Sequence, residues 1–175
     1  MGGSGNQRVE ESIADRVLVI TRVFDAPARL LFEAYRTPEH LKRWFGPRGW
    51  PLTLCEVDFR VGGRFRFGMT GPDGTPGTPF GGEYLEIVPN RKIVFDNGFE
   101  TPGAEKMVVT ITFDEQDEKT TLSIHTRFAS EAMWHEHVGG GYAQGVGSGL
   151  DQLAEVVAEL RRMEFSRAGL SSPRS

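Results

Sequence analysis

The feature that most constrains this chain is a change of period. Between Val17 and Phe128 lie seven short strand-like runs, and in three of them, Arg64–Thr70, Met107–Phe113 and Thr120–Phe128, apolar side chains recur at every second position. Beyond Ser130 they recur at every third or fourth. A period of two places alternate side chains on opposite faces of a strand, and a period near 3.6 draws one stripe along a helix. The chain therefore reads as a sheet followed by a helix that covers it.

The seven runs are Val17–Phe24, Leu52–Asp58, Arg64–Thr70, Gly82–Val88, Lys92–Asn97, Met107–Phe113 and Thr120–Phe128. Phe65, Phe67 and Met69 fall on one face, Arg64 and Arg66 on the other. Val109, Ile111 and Phe113 oppose Val108, Thr110 and Thr112, while Leu122, Ile124 and Phe128 oppose Ser123, His125 and Arg127. Each such strand has one apolar face that something must cover. The later runs are joined by turn residues, such as Val61-Gly62-Gly63, Gly71-Pro72-Asp73-Gly74, Pro89-Asn90 and Gln116-Asp117. Connections this short predict an antiparallel meander, because parallel strands need long crossovers. After the first run, Asp25-Ala26-Pro27 and Thr37-Pro38-Glu39 each give a helix-start signal, predicting two short helices that end before Gly46.

The cover begins at Ser130, a good N-cap. Val138, Tyr142, Val146, Leu150, Leu153, Val157 and Leu160 then follow at steps of four and three, to about Met163. The expectation is an α+β helix-grip architecture. It comprises a curved antiparallel sheet of about seven strands, two short helices after the first strand, and a long C-terminal helix over an apolar space. Gly139, Gly140, Gly141, Gly145, Gly147 and Gly149 crowd the start of that helix. Each costs on the order of 1 kcal/mol relative to Ala in a helix interior. Gly141, Gly145 and Gly149 line up along one face, where they let the helix sit close to the sheet or leave room for a guest. A break at Gly139–Gly141 is an equally good reading.

Length and charge bound the function. The 175 residues suit one domain, 13–163, between a flexible leader (1–12) and a flexible tail (164–175). A core of this size buries roughly 70% of the unfolded surface and needs no metal or disulfide staple. The net charge of −4 argues against nucleic acid, which is bound through a basic surplus. Arg161, Arg162, Arg167 and Arg174 read as a solvated helix end and tail. The single cysteine, Cys55, excludes an internal disulfide and reads as a small core residue. Residues 1–15 lack the apolar core of a secretory signal, and Asn6 breaks the myristoylation pattern. No 18-residue apolar stretch predicts a membrane span. The expected location is the cytoplasm.

Four stretches together resemble one family. They are ITRVFDAPARLLFEAYRTPEHLKRWFGP at Ile20–Pro47, DFRVGGRFRF at Asp58–Phe67, EYLEIVPNRKIVF at Glu83–Phe95 and GYAQGVGSGLDQLAEVV at Gly141–Val157. Their content and order are similar to the SRPBCC superfamily (START-like, helix-grip), in the branch that resembles the C-terminal domain of the Hsp-ATPase activator. The resemblance implies a deep cavity between sheet and long helix that takes lipids, polyketides, aromatic metabolites or other apolar molecules. It supplies no universal catalytic set and no cofactor. The co-chaperone role belongs to longer proteins with an additional domain.

The candidate lining of such a cavity is aromatic: Trp44, Phe45, Trp50, Phe65, Phe67, Met69, Tyr84, Trp134 and Tyr142, facing Gly141, Gly145 and Gly149. Core packing accounts for any one of these; as a group, rings facing glycines suit an apolar, aromatic guest. His137 and Glu86 are the candidate polar groups. In His135-Glu136-His137 the two histidines lie about 200° apart on a helix and do not make a metal pair. Glu56 and Asp58 share a strand face and read equally as carboxylates running out to solvent. No Walker loop, GxGxxG, GxSxG or cysteine pair is present. The leading expectation is a stand-alone domain that binds a small hydrophobic ligand. The rivals are a polyketide cyclase- or hydrolase-like enzyme, which needs an ionisable group in the pocket, and a module that modulates a chaperone ATPase. A homodimer is left open.

Overall fold

The computed structural model describes residues 7–171. The elements in chain order are β1 (Gln7–Ser12), β2 (Val17–Phe24), α1 (Ala28–Arg36), α2 (Pro38–Trp44), β3 (Leu52–Val57), β4 (Arg64–Met69), β5 (Phe80–Val88), β6 (Lys92–Phe99), β7 (Met107–Gln116), β8 (Lys119–Arg127), α3 (Glu131–Gly139) and α4 (Tyr142–Ser171). The strands form one antiparallel sheet of eight in the order β1-β2-β8-β7-β6-β5-β4-β3. Helices α1 and α2 carry the chain from β2, near one edge, to β3 at the other.

The register shows why the alternation was informative. Ile20 pairs with Ile124, Ile124 with Ile111, and Ile111 with Ile93. This row of four buried isoleucines crosses the centre of the sheet on its inner face. β-Branched side chains pack well on such a pleated surface. Leu150, Leu153, Val156 and Val157 of α4 belong to the same core and are also buried. The β7–β8 hairpin turns through Asp117 and Glu118, both at positive φ (54° and 62°), the conformation that matches the twist of a two-residue hairpin. The first turn of α1 is satisfied from the sheet: the Ala28 amide donates to Glu115 Oε1 at 2.7 Å.

The sheet has one strand more than the alternation predicted. Residues 7–12, read as part of a flexible leader, form β1 and pair with β2 from Gln7↔Arg22 to Ser12↔Val17. Its sequence, QRVEES, is mostly exposed because the strand lies at an edge, so it carries no alternating apolar signal. Residues 1–6 of that expected leader lie outside the described residues.

The helical cover breaks where the glycines cluster. Helix α3 ends at Gly139 and α4 starts at Tyr142, with Gly141 at φ 91°. That conformation is strained for any residue with a Cβ. At the other end α4 continues to Ser171, well into the span expected to be a tail. Glu164 holds it there, accepting two hydrogen bonds from the Arg29 guanidinium at 2.5 and 2.8 Å. Residues 172–175 lie outside the described residues.

Candidate functional site

Sheet, helices and the α2–β3 loop enclose a cavity of about 470 Å³. Its sheet wall comes from the inner faces of β6, β7 and β8, with Phe95, Asn97, Met107, Val109, Ile111 and Ile124. The helical wall is Met133 and His137 of α3, then Tyr142, Gly145, Val146, Gly149 and Leu150 of α4. Tyr35, Trp44, Phe45, Gly46 and Pro47 close one side.

The α4 glycines set how near the helix comes to that closing segment. A Cβ at Gly149 would lie 3.3 Å from the Trp44 carbonyl oxygen and 3.4 Å from the Gly46 nitrogen. A Cβ at Gly145 would only touch Pro47, at 3.5 Å. Gly149 thus permits close approach, while Gly145 leaves free volume beside the cavity. Gln152 adds a tie one turn on, its side-chain amide donating to the Gly46 carbonyl at 2.8 Å.

The aromatic set divides into two layers. Trp44, Phe45, Met69 and Tyr142 line the cavity, as do Gly141, Gly145 and Gly149. Phe65, Phe67 and Tyr84 are buried but stand behind the lining. Phe67 packs edge-on against Phe45 at 5.1 Å, and Phe65 packs edge-on against Phe95 at 5.2 Å. These three residues support the wall and do not form it. Trp134 is also buried but does not line the cavity, and its indole N–H has no partner among the described residues.

Two further expectations fail. Trp50 is 41% exposed and lies over Gly71, because the positive φ of Gly46 and Gly49 turns the loop outward. Glu86 is also exposed and pairs with Lys92 at 3.2 Å. A bulge between Tyr84 and Glu86 shifts the register there, so face assignment by simple alternation breaks down.

His137 does reach the cavity. Its Nδ1 lies 3.0 Å from the Met133 carbonyl oxygen, which can only accept, so Nδ1 carries a proton and Nε2 stays available. The ring rests on Phe128 at 5.4 Å and stacks on Phe99 at 6.4 Å. Phe99 is 50% exposed and Glu136 is also at the surface, so this side is the mouth. His135 points away, 3.9 Å from Glu131. Among the described residues no three His, Cys, Asp or Glu side chains cluster as metal ligands would.

Tyr35, on α1, was not among the candidate lining residues, yet it stands at the site. Tyr35 packs edge-on against Trp44 at 4.7 Å, and the Trp44 indole N–H donates to the Ala34 carbonyl at 3.0 Å. Tyr35 lines the cavity and no hydrogen bond joins its hydroxyl to another described residue, whereas the unpartnered polar atom sealed within this wall is Asn97 Oδ1. Tyr142 shares a hydrogen bond with Thr126 Oγ1 at 3.1 Å. Burial pushes both phenols above their ordinary range, and for Tyr35 the neighbouring Tyr142 adds to the effect, so both remain protonated. Asn97 was missed too: it lies at the end of a run read for its apolar residues, and its side-chain oxygen is buried with no donor among the described residues.

A curved antiparallel sheet gripping a long C-terminal helix, with an apolar cavity between them, defines an α+β helix-grip protein. The model of the family described as "Activator of Hsp90 ATPase homolog 1-like protein" matches residues 25–158, and the chain belongs to that SRPBCC-type family. Solved structures agree. A protein from Arthrobacter aurescens is 26% identical, with a TM-score of 0.80 over 87% of this chain and 91% of its own. One from Mycobacterium smegmatis is 26% identical, with a TM-score of 0.78 over 87% and 98%. One from Chromobacterium violaceum is 30% identical, with a TM-score of 0.69 over 81% and 96%. No curated protein matches the chain in sequence. No helix of the described residues is long and apolar enough to cross a membrane.

Proposed function

We propose that the protein binds a small, largely apolar molecule non-covalently in the cavity beneath α4. The observation that carries this reading is the cavity itself. Its volume of about 470 Å³ lies in the range of ligand pockets, and its walls are aromatic and aliphatic with a few inward polar groups. Close packing is the rule for protein interiors, so a space this large under a covering helix is a departure from what folding alone favours. The glycines point the same way: Gly145 has room for a side chain that would intrude at the cavity's edge.

Trp44 supplies the test, because it lines the cavity whereas Trp50 and Trp134 do not. In the Trp50→Phe, Trp134→Phe protein Trp44 is the sole tryptophan, since the sequence has three. Titration with a panel of hydrophobic ligands is expected to change its emission saturably. Native mass spectrometry of the gently purified protein is expected to show a stoichiometric adduct. Unchanged Trp44 emission across the panel, with a clean unliganded mass, would overturn the reading.

A further inference from the structure

We infer that the cavity selects neutral aromatic molecules bearing a hydroxyl-type hydrogen-bonding group, that Tyr35 is the residue that reads this group, and that carboxylates are rejected. This rests on the binding role proposed above and adds the chemistry of the occupant.

The first line of argument is the unpaired phenol. A buried polar group is nearly always hydrogen-bonded, and one that is not marks a place where something is missing. On this wall the fully buried atom without a partner among the described residues is Asn97 Oδ1, and Tyr35, held by ring contacts to Trp44 and Phe113, lines the same cavity with a hydroxyl that no described residue bonds. The hydroxyl can donate and accept, so a ligand O–H or carbonyl would satisfy it. The buried, donorless oxygen of Asn97 is a second group on the same wall system, and it favours an occupant that also carries a donor.

The second line is charge. Among the described residues the lining contains no lysine and no arginine. Glu136, at the mouth, is its one carboxylate, and His137 has its Nδ1 proton committed to the Met133 carbonyl. Arg22, the one buried cation among the described residues, is already held by Asp151 at 2.6 Å and is not part of the lining. A carboxylate entering this space would lose its hydration and meet no lysine or arginine. The third line is shape. Phe45, Phe80, Phe95, Trp44 and Tyr142 present ring faces and edges, which suit a flat aromatic body better than a flexible chain that must lose its rotamer freedom.

Three probes of one shape separate these claims: methylnaphthalene, naphthol and naphthoate, each titrated by calorimetry and by Trp44 emission. Naphthol is expected to bind about 10-fold more tightly than methylnaphthalene, the size of one net hydrogen bond. Naphthoate is expected to bind at least 10-fold more weakly than naphthol. Tyr35→Phe removes only an oxygen that no described residue bonds, so its melting temperature should hold. It should abolish the advantage of naphthol over methylnaphthalene while leaving methylnaphthalene unchanged. Glu136→Lys, at an exposed position, should improve naphthoate selectively. If naphthoate binds as well as naphthol, or if Tyr35→Phe weakens naphthol and methylnaphthalene equally, the inference falls while the binding role stands. If no probe binds, the inference falls, and the ligand panel and native mass decide the binding role separately.

Discussion

Arg22 and Asp151 meet at 2.6 Å where α4 crosses β2. Arg22 sits on the inner, apolar face of its strand at 2% exposure, next to Phe24, while the Asp151 side chain is 40% exposed. The pair is therefore asymmetric. Removing the carboxylate leaves a buried guanidinium without a counter-charge; removing the guanidinium leaves a carboxylate that water can reach. Asp151→Ala is expected to cost about 3 kcal/mol, since breaking a buried pair costs roughly 3–5 kcal/mol and the partner here is half-exposed. Arg22→Met, which keeps the volume, is expected to cost about 1 kcal/mol. Urea denaturation of both variants checks this. Equal losses would show that the asymmetry does not matter.

Acid should loosen the far half of α4 before the sheet. Glu159 accepts from Arg43 of α2, and Glu164 from Arg29 of α1. Hydrogen bonding to these arginines holds both carboxyls below the ordinary glutamate value. A carboxyl lowered in the folded state contributes stability that is complete above its unfolded pKa, about 4.3. That contribution is lost as the pH falls through the folded value. Hydrogen exchange is expected to show extra opening of α4 beyond Glu159 as the pH falls below about 4.3, while the β7–β8 amides stay protected. Both pairs are exposed, so 0.5 M salt at pH 7 should produce part of the same loosening. Opening of the helix and sheet together would contradict this.

The period of two placed Phe67, Ile111, Ile124 and Phe128 on the inner face, and the period near 3.6 placed Val146, Leu150 and Leu153 opposite them. Those faces are what the structure buries. What the periodicity could not give was depth. Phe65 and Phe67 have the same pattern as Met69, yet only Met69 reaches the cavity, because the second layer is set by how strongly the sheet curves. β1 was invisible because an edge strand with little buried surface has no alternation to read. Glu86 was misplaced by a bulge, and Trp50 by two glycines at positive φ in its loop. Tyr35 was hidden by its own composition: a phenol at an apolar helix position reads as core until its hydroxyl is seen to lack a partner.

Gly145 and Gly149 separate two explanations for the same residue type. Gly145→Ala meets only ordinary contact with Pro47, so it is expected to stabilise by about 0.5 kcal/mol through helix propensity and to raise the melting temperature by about 2 °C. The same methyl intrudes at the cavity edge, so affinity for a bulky aromatic probe should fall. Gly149→Ala meets backbone atoms of Trp44 and Gly46 at 3.3–3.5 Å and is expected to gain no stability. Thermal melts with calorimetric titration check both.

The two aromatic layers can be told apart in the same way. Val146→Phe fills cavity space from α4, on a residue that lines the cavity and is only half-buried. It is expected to lower ligand affinity more than 10-fold with the melting temperature held or raised, because it replaces empty volume and displaces no packed side chain. Phe67→Ala removes a ring that touches Phe45, Phe65 and Phe80 from behind. It is expected to cost about 3–5 kcal/mol, as buried phenylalanine truncations do. Its effect on binding should be indirect, through a Phe45 that is no longer held. Trp44 emission in the single-tryptophan background reports occupancy for both variants, and urea denaturation reports stability. If Val146→Phe destabilises as much as Phe67→Ala, the space under α4 is too tightly bounded to accept a ring, and the cavity reading loses its main support.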